Sequence, residues 1–201
     1  LRHASEFPSD HVRQVDPSDI IRQINEIVTN QQSIFHLIFE DEILPELRKN
    51  NIIVVEERDK LSEEQNKYIR EIFYSDILTS IQPVILVKKK VRPFLKTGQP
   101  YIAMEMVSKE RVGIKQVRRY SIVKIPTDHN IPRFLELPRQ KNKHYIMFLE
   151  DVIMRHSEAL FPGYKVKNWY SLKLTRDADL EYDDYEGEDL IETIDRIHSL
   201  Q

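Results

Sequence analysis

The side chains in this sequence best suited to binding chemistry are its cations. Lys88, Lys89, Lys90, Arg92, Lys96, Lys109, Arg111, Lys115, Arg118, Arg119 and Lys124 fall in the middle of the chain, whereas the C-terminal third is acidic. A field of that sign steers a phosphate-bearing polyanion, and an arginine grips phosphate oxygens with a two-pronged fork. The same residue types equally suit the wet positions of a sheet with one face in solvent. Lys88, Lys90, Arg92 and the isolated Arg133 are therefore secondary candidates. Lys173, Arg176, Asp177 and Asp179 form a tighter group. Two roles are open to it: facing phosphate, or locking a strand-to-helix turn through an ion pair of Arg176 with Asp177 or Asp179. Such a pair fixes geometry more than it adds stability.

Other chemistries have little to work with. There is no G-x-x-x-x-G-K-[ST] loop, no H-E-x-x-H and no nucleophile elbow. Four glycines cannot build a glycine-rich phosphate cradle, and the seven histidines lack metal-ligand spacing to one another. With no cysteine, a disulfide framework and a Cys-ligated zinc site are both excluded. A net charge of −3 argues against indiscriminate nucleic-acid binding. Apolar runs such as residues 84–87 are too short to cross a bilayer.

The elements that must position these cations are legible from period and punctuation. Asp16-Pro17-Ser18 reads as a helix start, and Ile20, Ile24, Ile27, Ile34 and Ile38 mark one face of a helix reaching towards Asn50. Pro45 is expected to kink or break its last turns. After Asn50-Asn51 come a short strand at residues 52–55 and a capping box at Ser62-Glu63-Glu64-Gln65. The helix it opens buries Tyr68, Ile69, Ile72, Phe73, Ile77 and Ile81, and Pro83 ends it. Strands are expected at residues 84–87, 101–107, 116–125, 134–137 and 145–149, with a basic turn at 139–143. A helix carrying Val152, Ile153, Ala159 and Leu160 then runs to Pro162-Gly163. Residues 168–175 alternate, with Tyr170, Leu172 and Leu174 on one side and Trp169, Ser171, Lys173 and Thr175 on the other. An acidic run and a last helix from near Gly187 follow. Roughly six strands and three helices in this order give an α+β fold with a mixed, largely antiparallel sheet, preceded by a long helix.

Three stretches carry a family resemblance. Y-S-L-K-L-T-R-D-A-D-L at residues 170–180, I-P-R-F-L-E-L-P at 131–138 and I-Q-P-V-I-L at 81–86 are similar, in order and spacing, to the head domain of bacterial long-chain polyphosphate kinases. The likeness runs from about residue 20 to the end. It implies that residues 1–51 close an N-terminal helical domain and that 52–201 are the head, or middle, domain. It further implies a cytoplasmic parent enzyme, at most peripheral to a membrane, that moves the γ-phosphoryl of ATP reversibly onto polyphosphate through a phosphohistidine, with magnesium. The head domain would support a homodimer or higher homo-oligomer and enclose the active-site tunnel. The reacting histidine would lie downstream of residue 201, so this chain is expected to bind no cofactor and to be inactive alone. A sequence opening on Leu1 rather than Met fits a piece of a longer protein. The alternative is a non-enzymatic anion- or protein-binding scaffold with the same domain.

Overall fold

Asp16 starts the first helix by accepting the Ser18 N–H at 2.9 Å, with Pro17 in the first turn, where a missing N–H leaves no bond unmade. The computed structural model describes residues 16–86, 95–112, 115–127 and 131–174. Helix α1 spans Pro17–Leu37 without a break at Gln31. The winding then widens into a π-helical segment, Ile38–Ile43, and returns to α2, Leu44–Lys49. Of the two outcomes expected at Pro45, a kink or a break, the break does not occur: the winding changes just ahead of the proline and the helix continues. The Leu44 N–H bonds back to Phe39, five residues earlier, and the wider turn gives the proline ring room ahead of it. Asn50 then folds its amide onto the Glu46 carbonyl (2.9 Å), and Asn51 takes a left-handed φ of 62°, a conformation asparagine tolerates.

The chain divides into two units, Leu1–Asn50 and Asn51–Gln201. In the second unit, β1 (Ile52–Val55) leads to α3 (Glu63–Ile72). The capping box is complete: Gln65 N–H donates to Ser62 Oγ and Ser62 N–H to Gln65 Oε1, both at 3.2 Å. A π-helical stretch, Phe73–Ile77, and a single turn, α4 (Leu78–Ser80), carry the helix to Ser80, three residues short of the Pro83 expected to end it, and Ile81 is already extended. Strands β2 (Val84–Leu86), β3 (Pro100–Val112), β4 (Lys115–Lys124), β5 (Phe134–Gln140) and β6 (Lys143–Phe148) follow. Two short helices, α5 (Leu149–Arg155) and α6 (Ser157–Leu160), precede β7 (Tyr164–Lys173).

The architecture is α+β, as expected, but the strands form two sheets rather than one. The first has the order β1-β6-β5, with β1 parallel to β6 and β5 antiparallel; the second, β2-β4-β3-β7, is antiparallel throughout. Seven strands occur among the described residues. β3, β5 and β7 run longer than the apolar pattern alone suggests; in β3 and β5 pairing resumes beyond a register shift, where Arg111 meets Gln116 and Gln140 meets Lys143.

One core lies between the sheets and the helices. It joins Ile69, Phe73 and Ile77 from the α3 segment to Ile102, Met104 and Met106 of β3, Leu135 and Leu137 of β5, Met147 of β6, and Val152 and Ile153 of α5. A second, smaller cluster covers the other face of the antiparallel sheet through Leu86, Leu95, Tyr101, Ala103, Tyr120 and Ile122, with Tyr170, Leu172 and Leu174 packed on it. The alternation read in residues 168–175 is thus real as far as it is described: Trp169 belongs to the first core and its even-numbered neighbours to the second. The loop with Lys88, Lys90 and Arg92, and residues 175–201 with Arg176, Asp177, Asp179, the acidic run and the expected last helix, lie outside the described residues.

Candidate functional site

The cations that crowd the middle of the sequence are separated by the fold. β3 and β4 form a hairpin, so residues near its tip and residues near its open end sit at opposite ends of the antiparallel sheet. Tyr101 and Val107 are six residues apart on β3, a distance of about 20 Å at strand rise. At the open end are Lys96, Lys124 and Lys173. Lys173 is exposed, pairs in register with Pro100, and precedes Leu174, whose carbonyl accepts the Gly98 N–H at 2.8 Å. Towards the hairpin tip are Lys109, Arg118 and Arg119, joined by Lys165 and Lys167 from the first half of β7. The two β7 lysines stood outside the sequence reading because they are distant in sequence from the basic middle; only the β3–β7 pairing brings them there.

Arg118 is the most constrained of these cations. Its Nε lies 3.0 Å from Glu105 Oε1, and Asn168 Nδ2 donates to Glu105 Oε2 at 2.7 Å. Glu105 is 6% exposed in its side chain, whereas that of Arg118 is 58% exposed. A buried carboxylate thus anchors an arginine whose head remains in solvent.

Arg133, the other described candidate, stands at the start of β5, where its carbonyl accepts the Leu149 N–H (2.9 Å) and its Nη2 donates to Glu150 Oε1. Glu150 is 5% exposed in its side chain, and its second oxygen is buried with no partner. Removing a charge partner from a buried carboxylate costs more than an ordinary surface pair is worth. Arg133→Ala is accordingly expected to lower unfolding stability by about 2 kcal/mol, half-exposure of the guanidinium keeping it below the fully buried case. Urea titration checks this. A loss under about 0.5 kcal/mol would return Arg133 to the phosphate-facing candidates.

Beside this pair lies a polar brace that no motif announced. Asp151 Oδ1 accepts the Glu57 N–H at 3.1 Å across 94 residues of sequence. One turn later, the Arg155 guanidinium donates to the carbonyls of Glu57 and Asp59 and to Asn66 Oδ1. Together they pin the β1–α3 loop onto α5. Burial pushes the Asp151 carboxyl up from 3.8 to about 7; the Glu57 N–H opposes this, and the carboxylates of Glu56, Glu57 and Glu150 add to it. His156 stacks on Phe73 with ring centroids 4.4 Å apart and donates from Nδ1 to the Val152 carbonyl at 2.9 Å. Burial lowers its pKa, favouring the neutral ring. His144 instead sits at the surface, 3.2 Å from Glu136. Among the described residues no group of three or more His, Cys, Asp or Glu could hold a metal ion.

A family model described as "Polyphosphate kinase middle domain" matches residues 64–198. The chain belongs to the polyphosphate kinase family. It is 35% identical over 149 residues to the polyphosphate kinase of Vibrio vulnificus (strain YJ016), covering 71% of this chain and 20% of that protein. Against the Pseudomonas aeruginosa polyphosphate kinase the figures are 30% over 177 residues, 87% and 25%. The crystal structure of the polyphosphate kinase from Porphyromonas gingivalis matches with a TM-score of 0.74 at 34% identity, over 90% of this chain and 28% of that one. The chain thus spans about a fifth to a quarter of the curated polyphosphate kinases it matches. Among the described residues no helix is long and apolar enough to cross a membrane.

Proposed function

We propose that this chain is the middle domain of a polyphosphate kinase whose full polypeptide transfers the γ-phosphoryl of ATP, reversibly and with magnesium, to a growing polyphosphate chain through a phosphohistidine. The observation that carries this reading is the middle-domain match over residues 64–198, joined to a fold shared with a polyphosphate kinase at 34% identity. The domain's own part is architectural: it supports a homodimer and walls a tunnel for the phosphate polymer. The described histidines suit that division of labour, and His36 simply lies exposed in the last turn of α1. His156 is stacked and bonded into the core, and His144 is paired to a surface carboxylate. None of the three is held in a site shaped to accept a phosphoryl group.

The test uses the full-length polypeptide and the 201-residue chain side by side. Incubated with radiolabelled ATP and magnesium, the full protein should form acid-insoluble polymer and a labelled histidine, while the 201-residue chain should form neither. Sedimentation of the same samples reads the dimer. A full-length protein that binds polyphosphate yet never extends it would instead point to a scaffold role, and a labelled histidine on the short chain would relocate the chemistry to it.

A further inference from the structure

The end of the antiparallel sheet nearest the β3–β4 turn carries an arrangement of charge that an architectural domain does not require. Directly paired residues of neighbouring strands point to the same face. Val107 of β3 pairs with Arg118 of β4 on one side and Lys165 of β7 on the other, so the two cations share a face and flank a small apolar residue. In the row below, Glu105 is flanked by Tyr120 and Asn168 in the same way. Between Glu105 and Met106 the β7 register shifts, and Lys167 is the extra residue of that bulge. Bulges re-aim side chains and recur next to functional sites.

Lys165 and Lys167 are exposed, and no described carboxylate pairs with either. Lys109 is offset by Glu158 at 3.2 Å, with Glu110 next to it in sequence. Arg118 is offset by Glu105 at 3.0 Å, so it contributes a fixed, exposed edge while Lys165 and Lys167 supply the net positive charge. Arg119 pairs with Met106 and so belongs to the opposite face. The row is therefore Arg118, Lys165 and Lys167. Its two register-matched members stand two strand spacings apart, about 10 Å between backbones. Because Glu105 tethers the Arg118 Nε, that guanidinium is not free to swing towards Lys165 and close on one small anion. Fixed charges at that separation suit a long run of phosphates better than a single one. Base stacking has no platform here, since Tyr120 is buried and Tyr164 packs against the core.

We propose that the Arg118–Lys165–Lys167 row is an accessory contact surface for an extended inorganic phosphate polymer, holding the chain on the outside of the domain. This rests on the polyphosphate kinase reading and gives it a polymer-binding surface on the middle domain. The row retains substrate by charge and shape without touching the reacting atoms.

The probe is end-labelled long-chain inorganic polyphosphate, followed by fluorescence anisotropy with the 201-residue chain at low salt. Arg118 is left intact because its loss would strand Glu105. Lys165→Glu with Lys167→Glu should weaken polymer binding roughly tenfold, an effect that fades as salt screens the charges. Lys67→Glu with Lys143→Glu, an equal charge reversal at exposed positions outside the row, should change it less than about twofold. Tripolyphosphate should compete poorly per phosphate. Equal losses in both pairs would reduce the effect to net charge and overturn the proposal, as would wild-type binding by the Lys165/Lys167 variant. Single-stranded RNA competing as well as the polymer would overturn the ligand class. The kinase assay separates the two readings. If the full-length protein synthesises polymer while the variant binds normally, only the surface fails; if the row binds polymer but the full protein makes none, only the kinase reading fails.

Discussion

Phe73→Ala should be the most damaging single truncation in the second unit, lowering unfolding stability by about 4 kcal/mol. Phe73 is 0% exposed and sits where α3 changes from α to π winding, with the His156 ring stacked on one side and Tyr74 edge-on at 5.2 Å. Two costs add. The ring's transfer from water is lost, and the cavity left behind cannot collapse, because Ile69, Ile77 and Ile153 around it are themselves fixed in the core. Removing the ring also strips His156 of the surface that keeps it dry. The imidazole should therefore titrate closer to its ordinary value in the variant, which NMR of the ring protons reads directly. A stability loss under about 1 kcal/mol would mean that the core repacks and that Phe73 is not its keystone.

Asp151→Asn should act in the opposite direction and only on the alkaline side. A carboxyl whose pKa rises from 3.8 in the unfolded chain to about 7 in the folded one holds its proton more tightly when folded. Well below pH 3.8 both states are protonated and nothing is lost. Between pH 4 and 7 the unfolded chain releases the proton first, so stability falls as pH rises, and the deficit is complete above pH 7. At about 1.4 kcal/mol per pKa unit its ceiling is about 4 kcal/mol. Asparagine keeps an oxygen for the Glu57 N–H and carries no charge to bury. The variant should consequently gain about 2 kcal/mol or more over wild type at pH 8, and nearly nothing at about pH 3. Urea midpoints at the two pH values decide it. A constant difference across pH would show that Asp151 stays ionised and that its burial is compensated.

How much of this was legible in the sequence depends on the range of the interaction. The Ser62–Gln65 box, the Asp16 cap and the buried stripe of Ile69, Phe73 and Ile77 rest on neighbours within a turn, and the structure has them as read. Gln65 shows where that stops. Its Nε2 also donates to the Pro138 carbonyl at 3.0 Å, and its Oε1 accepts from Gln140 at 3.3 Å, so the capping residue doubles as a tie to β5 that no local pattern reveals. Glu150 and Asp151 look like first-turn acids complementing a helix dipole. Only tertiary burial makes them an ion-pair partner and a raised carboxyl. Pro45 does not break the helix because a π-helical turn accommodates it. The cations were recognised as a group, but one compositional block became two ends of a sheet, and the lysines of β7 joined it by pairing alone. Of the residues singled out around position 176, Lys173 alone is described, exposed at the end of β7.

The parallel pairing of β1 with β6 has a kinetic consequence. Ile52 meets His144 at a sequence separation of 92 (144 − 52), whereas β3 and β4 meet across a tight local reversal. Closing a loop costs entropy that grows with its length, and the cost precedes any reward from the contact. During synthesis Ile52–Val55 emerges early and must wait for its partner strand, Lys143–Phe148, to be made. The β3–β4 hairpin can form as soon as it leaves the ribosome. Pairing is therefore expected to begin in the β3–β4 hairpin, and the four-residue strand at the start of the unit joins only once β6 exists.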